Sequence, residues 1–145
     1  MSPGTFEEQI HRLLELKSQK NFREALAVGE DALRIQPGHP VAVALVAGLR
    51  GRTGNPQAGL ELISPFLSDR PLPVPMALAY GRICLSLQRG QDAIPVLEQT
   101  LADLPAQQEQ GRYGIHFCLG DLYDAVGQYD TAFANYKKAN RKKSV

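Results

Sequence analysis

Apolar residues in this chain recur every three or four positions, in short blocks separated by polar turn residues. Phe6, Ile10, Leu13, Leu14 and Leu16 form the first stripe, behind a capping box made by Thr5 and Glu8, and predict a helix to about Lys17. A turn at Lys20-Asn21 leads to a second stripe, Phe22, Ala25, Leu26, Ala32, Leu33 and Ile35, which Gln36-Pro37-Gly38 stops. A third helix is predicted from Pro40 to about Arg52. A fourth starts at Pro56, with Asn55 as its N-cap and proline at the first helical position. Two further pairs follow, at roughly 75–87 with 91–103, and 107–126 with 129–142. Strand-like alternation is nowhere visible. The fold class is all-α.

The pairs repeat with a fixed step. Pro37, Pro71 and Pro105 are 34 residues apart, as are Ala25, Gly59 and Ala93, and again Ala47 and Gly81. Such a period marks stacked units, each too small to bury its apolar face alone. Four units, approximately 5–38, 39–72, 73–106 and 107–143, make a single domain. Three departures carry structural consequences. Leu13 fills a slot that is small in later units, which sets the first helix farther out. Pro65 leaves the Glu61 carbonyl without its helical partner and predicts a kink or an early end. The step from Ala93 to Ala132 is 39, and the extra residues, 107–111, lengthen the first helix of the last unit.

The last unit carries Leu119-Gly120-Asp121-Leu122-Tyr123, then Gly127-Gln128-Tyr129-Asp130-Thr131-Ala132-Phe133, Tyr136 and Ala139. This pattern resembles the tetratricopeptide repeat (TPR) family, and the resemblance spans nearly the whole chain. It implies a right-handed superhelical stack, an α-solenoid, whose concave groove is lined by the first helix of each unit. Carried onto this sequence, the groove comprises Ile10, Leu14, Ala44, Leu45, Gly48, Arg52, Leu78, Ala79, Arg82, Leu85, Phe117, Cys118, Asp121 and Asp124. Arg52 and Arg82 then stand toward one side, and Asp121 and Asp124 toward the other. The lining suits an amphipathic or apolar segment of a protein or peptide partner. The alternative that neighbouring units or a second copy cover these residues stays open. A carboxylate clamp of the co-chaperone type is excluded. Its five positions fall on Ile10, Leu14, Leu45, Pro75 and Ala79, or one unit on, Ala44, Gly48, Ala79, Gly114 and Cys118, with no cation or amide among them.

At the far end, Phe133 is expected to face the place of a next unit and Tyr136 to pack on its own. This open end predicts a weak homodimer contact or the docking of a further domain. Residues 129–140 are also similar to the last repeat of bacterial TPR proteins that continue into a sulfotransferase domain. Two readings follow: a non-catalytic, bacterial-type scaffold, or the docking and regulatory segment of a larger enzyme whose catalytic domain lies outside this chain.

Composition narrows the chemistry. Net charge is +1, which does not steer the molecule toward nucleic acid or an anionic membrane, although Lys137, Lys138, Arg141, Lys142 and Lys143 gather at the end. Lysines in a last helical turn also complement the helix dipole. No phosphate-binding loop or nucleophile elbow is present, and His11, His39 and His116 lack metal-ligand spacing. Asp121 and Asp124, one turn apart, are a solvated acidic edge or a peptide contact. No catalytic residue, metal or cofactor is expected. Met1 to Leu14 does not form a secretory signal, and the longest apolar run, Val41 to Leu49, is too short to cross a bilayer. Cys84 and Cys118 are expected as buried, reduced thiols of a cytoplasmic protein.

Overall fold

The computed structural model describes residues 4–140. These contain eight α-helices and no strand: α1 (Phe6–Ser18), α2 (Phe22–Ile35), α3 (Pro40–Arg52), α4 (Pro56–Ile63), α5 (Val74–Ser86), α6 (Gly90–Asp103), α7 (Glu109–Ala125) and α8 (Tyr129–Ala139). Each odd-numbered helix packs on the even one after it, and each even one on the next odd one. A second row of contacts joins α3 to α5 and α5 to α7. Helices therefore touch mainly their near neighbours in sequence, and the chain is a helical solenoid of stacked helix pairs. The predicted continuation of α8 to 142, and the basic residues 141–143, lie outside the described residues.

Local chemistry sets the helix ends. Thr5 Oγ1 accepts the Glu8 N–H and Glu8 Oε1 accepts the Thr5 N–H, each at 3.1 Å, which closes the capping box. Asn55 Oδ1 accepts the Ala58 N–H at 3.1 Å and starts α4. That helix ends at Ile63 and tightens into a 3₁₀ turn over Ser64–Phe66, since Pro65 has no N–H to offer the Glu61 carbonyl. The longer step before the last unit appears as an extra turn, with 17 residues in α7 against 13 in α1, α3 and α5.

Packing follows the small residues. Units two to four share one core that includes Ala47, Tyr80, Leu97, Cys118 and Leu122. Unit one adds Leu13, Leu16 and Ala25 against Leu49. Leu13 stands where the later first helices carry Ala47, Gly81 and Gly120. Correspondingly, α1 makes no contact with α3 comparable to that of α3 with α5. Leu13 instead fills the room left by Gly29, where an added Cβ would lie 2.9 Å from Leu13 Cδ1.

The turn inside each unit has one left-handed residue at a repeating slot: Lys20 (φ 61°), Gly54 (96°), Gln88 (57°) and Gly127 (84°). Glycine adopts this conformation freely, whereas a side chain there costs about 1 kcal/mol. Lys20→Gly and Gln88→Gly should therefore each raise unfolding free energy by roughly 0.5–1 kcal/mol in urea titration. Loss of stability in both variants would contradict the turn geometry.

Candidate functional site

Val41, Leu45, Gly48 and Arg52 follow one another at intervals of four, three and four, so they share one face of α3. Pro75, Ala79, Arg82 and Ser86 repeat that face on α5, each 34 residues on. All eight, with Lys17, Ala44, Leu78 and Leu85, line one open trough of about 590 Å³. Val41 is 39% exposed, and Leu45, Leu78, Ala79 and Leu85 are half-buried. Gly48 lies in the lining with open space before it, for an added Cβ would meet nothing within 4 Å. Among the described residues, three cations, Lys17, Arg52 and Arg82, line the trough and no carboxylate does.

The cations are held differently. The Arg52 guanidinium sits 4.4 Å from the Phe22 ring centroid, a cation–π contact that steers the side chain while leaving it exposed. Arg82 Nη1 donates to Asp121 Oδ2 at 2.7 Å, and its guanidinium lies 5.8 Å from the Phe117 ring. The Tyr136 hydroxyl donates to the other Asp121 oxygen, and its ring meets Phe117 edge-on, with centroids 5.8 Å apart. Burial, then the bond to Asp121, pushes the Tyr136 phenol up to about 12. This cluster ties α5, α7 and α8 together beside the trough.

Leu45, Gly48, Arg52, Leu78 and Arg82 thus come together in this lining. Phe117, Asp121 and Asp124 do not line the trough. Phe117 is 47% exposed, Asp124 is exposed, and Asp121 is bound to Arg82 and Tyr136. The expected separation of charges fails for a simple reason. Arg82 and Asp121 are 39 residues apart, the same slot in successive units, and their side chains neutralise one another. Cys118 is not a groove residue either. It is fully buried, with Sγ in the space that glycine leaves at position 81, 2.6 Å from where a Cβ would stand. Burial raises both thiols, Cys118 to about 11. Ile10 and Leu14, the latter 46% exposed, lie on α1 outside the lining.

Lys17, Val41 and Ser86 line the trough although the groove frame passes over them, and Pro75, reached in that frame only as a position of the excluded clamp, lines it too. Extending each stripe by one turn finds Val41 before Leu45, Pro75 before Ala79, Ser86 after Arg82 and Lys17 after Leu14, although Ile10 and Leu14 themselves stay outside the lining. At the far end Tyr136 packs on Gly120, whose added Cβ would lie 2.5 to 2.8 Å from the ring, and Phe133 is 65% exposed.

Solved structures share this architecture. A MamA fragment from Desulfovibrio magneticus RS-1 superposes with a TM-score of 0.68 at 19% identity, covering 97% of this chain and 77% of that one. A second MamA structure, designated MSR-1 C2, gives 0.65 at 14% identity over 98% and 80%. A thermophilic TPR protein of Thermus thermophilus, TTC0263, gives 0.49 at 20% identity over 94% and 91%. The MamA likenesses show the fold and carry no link to a sulfotransferase. No model of a known family matches the chain. No curated protein matches it either.

Proposed function

We propose that the chain is a non-catalytic scaffold whose trough, between α3 and α5, takes an apolar segment of a protein partner flanked by acidic residues. The observation that carries this reading is the lining itself: exposed and half-buried aliphatic side chains with cations at the margin and no carboxylate. Leucine-type side chains leaving water for such a lining supply affinity. Lys17 and Arg52 supply orientation and encounter rate, because opposite charges at a rim act mainly on those. Arg82 contributes less, since Asp121 already neutralises it.

The test is the binding of a labelled amphipathic peptide, leucines on one face and glutamates at its flanks, by fluorescence anisotropy. Lys17→Glu with Arg52→Glu should weaken it by roughly tenfold at low ionic strength and by much less at high salt. Unchanged affinity at low salt, or equal binding of a lysine-flanked peptide, would count against an acidic partner.

A further inference from the structure

The two ends of the stack are chemically unlike. In units two to four, the first helix meets the preceding unit through Ala42, Val46 and Leu49, then Met76, Tyr80 and Ile83, then Ile115, Leu119 and Leu122, and all nine are buried. The same slots in α1 hold Glu8, Arg12 and Glu15, all exposed, so the N-terminal face is built for water. The second helices show the opposite. Leu26, Leu60 and Ile94 are partly buried at one slot, and Phe22, Pro56 and Gly90 are partly or fully buried at another. In α8 these slots hold Phe133 and Tyr129, 65% and 68% exposed. The last helix keeps the apolar inter-unit face with no described helix upon it.

We infer that this α8 face is a self-association surface that pairs, antiparallel and two-fold symmetric, with the same face of a second copy. Head-to-tail stacking is disfavoured, because it would press Glu8 and Glu15 against Phe133 and Tyr129 in place of aliphatic side chains. A contact centred on Phe133 meets itself instead and closes after two copies. Charge favours the antiparallel sense. Asp130 precedes Phe133 by three residues, Lys137 follows it by four, and both are exposed. They lie on the same side of the Phe133 stripe, so reversing one helix against the other sets Asp130 beside Lys137 of the second copy, twice by symmetry. Lys137 Nζ already leans over the Phe133 ring, 5.8 Å from its centroid, so its stem covers the aromatic while its charge stays at the rim. One helix pair buries little area, so association is weak, at concentrations on the order of 100 µM.

Sedimentation velocity across roughly 10 µM to 1 mM tests this inference, bracketing the weak range that a small interface implies. The wild-type chain should show a monomer–dimer equilibrium that Phe133→Glu abolishes. Asp130→Lys alone and Lys137→Asp alone should each weaken it by roughly tenfold, while the double exchange restores it. Circular dichroism should find all four variants as helical as the parent, since these side chains are exposed. A chain that stays monomeric throughout overturns the proposal, whether residues 141–145 or another protein then cover the face. So does a dimer indifferent to Phe133→Glu, or a double exchange that fails to rescue. The symmetric contact would be wrong even if the trough bound its peptide as proposed.

Discussion

Gly59→Ala is expected to lower the melting temperature by a few degrees, up to about 7 °C, because overpacking against a rigid neighbour costs about 1–3 kcal/mol. A Cβ at position 59 would stand 2.5 Å from the Ala47 carbonyl oxygen and 3.1 Å from Ile83 Cδ1. The first obstacle is backbone, held in the hydrogen-bond ladder of α3, and it cannot rotate away. Alanine recovers only about 1 kcal/mol of helix propensity over glycine, so the clash prevails. Gly48→Ala is the matched control. That glycine also lies within a helix, but its added Cβ meets nothing within 4 Å. The propensity gain should then stand alone and raise stability by roughly 0.5–1 kcal/mol. Opposite signs in calorimetry confirm that α3 and α4 interlock at Gly59 while the trough beside Gly48 is open. Equal losses at both sites would contradict that packing.

The second large effect is on binding. Gly48→Trp should abolish capture of the acidic amphipathic peptide, by at least about 30-fold, the scale on which a blocked hot spot is felt. The indole would project into the space now open before Gly48, displacing the ligand without entering the core. Leu78→Glu is a weaker instrument, because Leu78 also touches the core and lies 3.5 Å from a Cβ added at Gly114. An unfolded Leu78→Glu would say nothing about the groove. Gly48→Trp should stay as helical as the parent, so loss of binding is then loss of the site.

Much of this molecule is legible in its sequence, because a repeat states the same instruction several times. The 34-residue step, the Asn55-Pro56 start and the break at Pro65 depend on local chemistry, and local chemistry is written in order along the chain. The added turn of α7 follows from counting the same way. What stays hidden depends on how units settle against one another. Cys118 stands at the slot of Leu45 and Ala79 yet is buried, because the absence of a side chain at Gly81 leaves room for its sulfur. Lys17 joins the trough from α1, a helix that sits outside the regular α3–α5–α7 row. The Arg82–Asp121 pair is an intermediate case. The 39-residue step places both in one slot of neighbouring units, and side chains of 2.7 Å separation follow once unit four is counted with its insertion.

If partners bind the face formed by Val41, Leu45, Gly48, Leu78 and Leu85, peptide ligands of the chain should seat there. Selecting peptides from an unbiased display library on the wild-type chain, then mapping the strongest by backbone amide chemical shifts, tests it most directly. The ligands should carry paired aliphatic and acidic residues, the shifts should concentrate on the facing sides of α3 and α5, and Gly48→Trp should not bind them. Ligands that bind Gly48→Trp as tightly as the parent, or that shift α2, α4 and α6 instead, would contradict it.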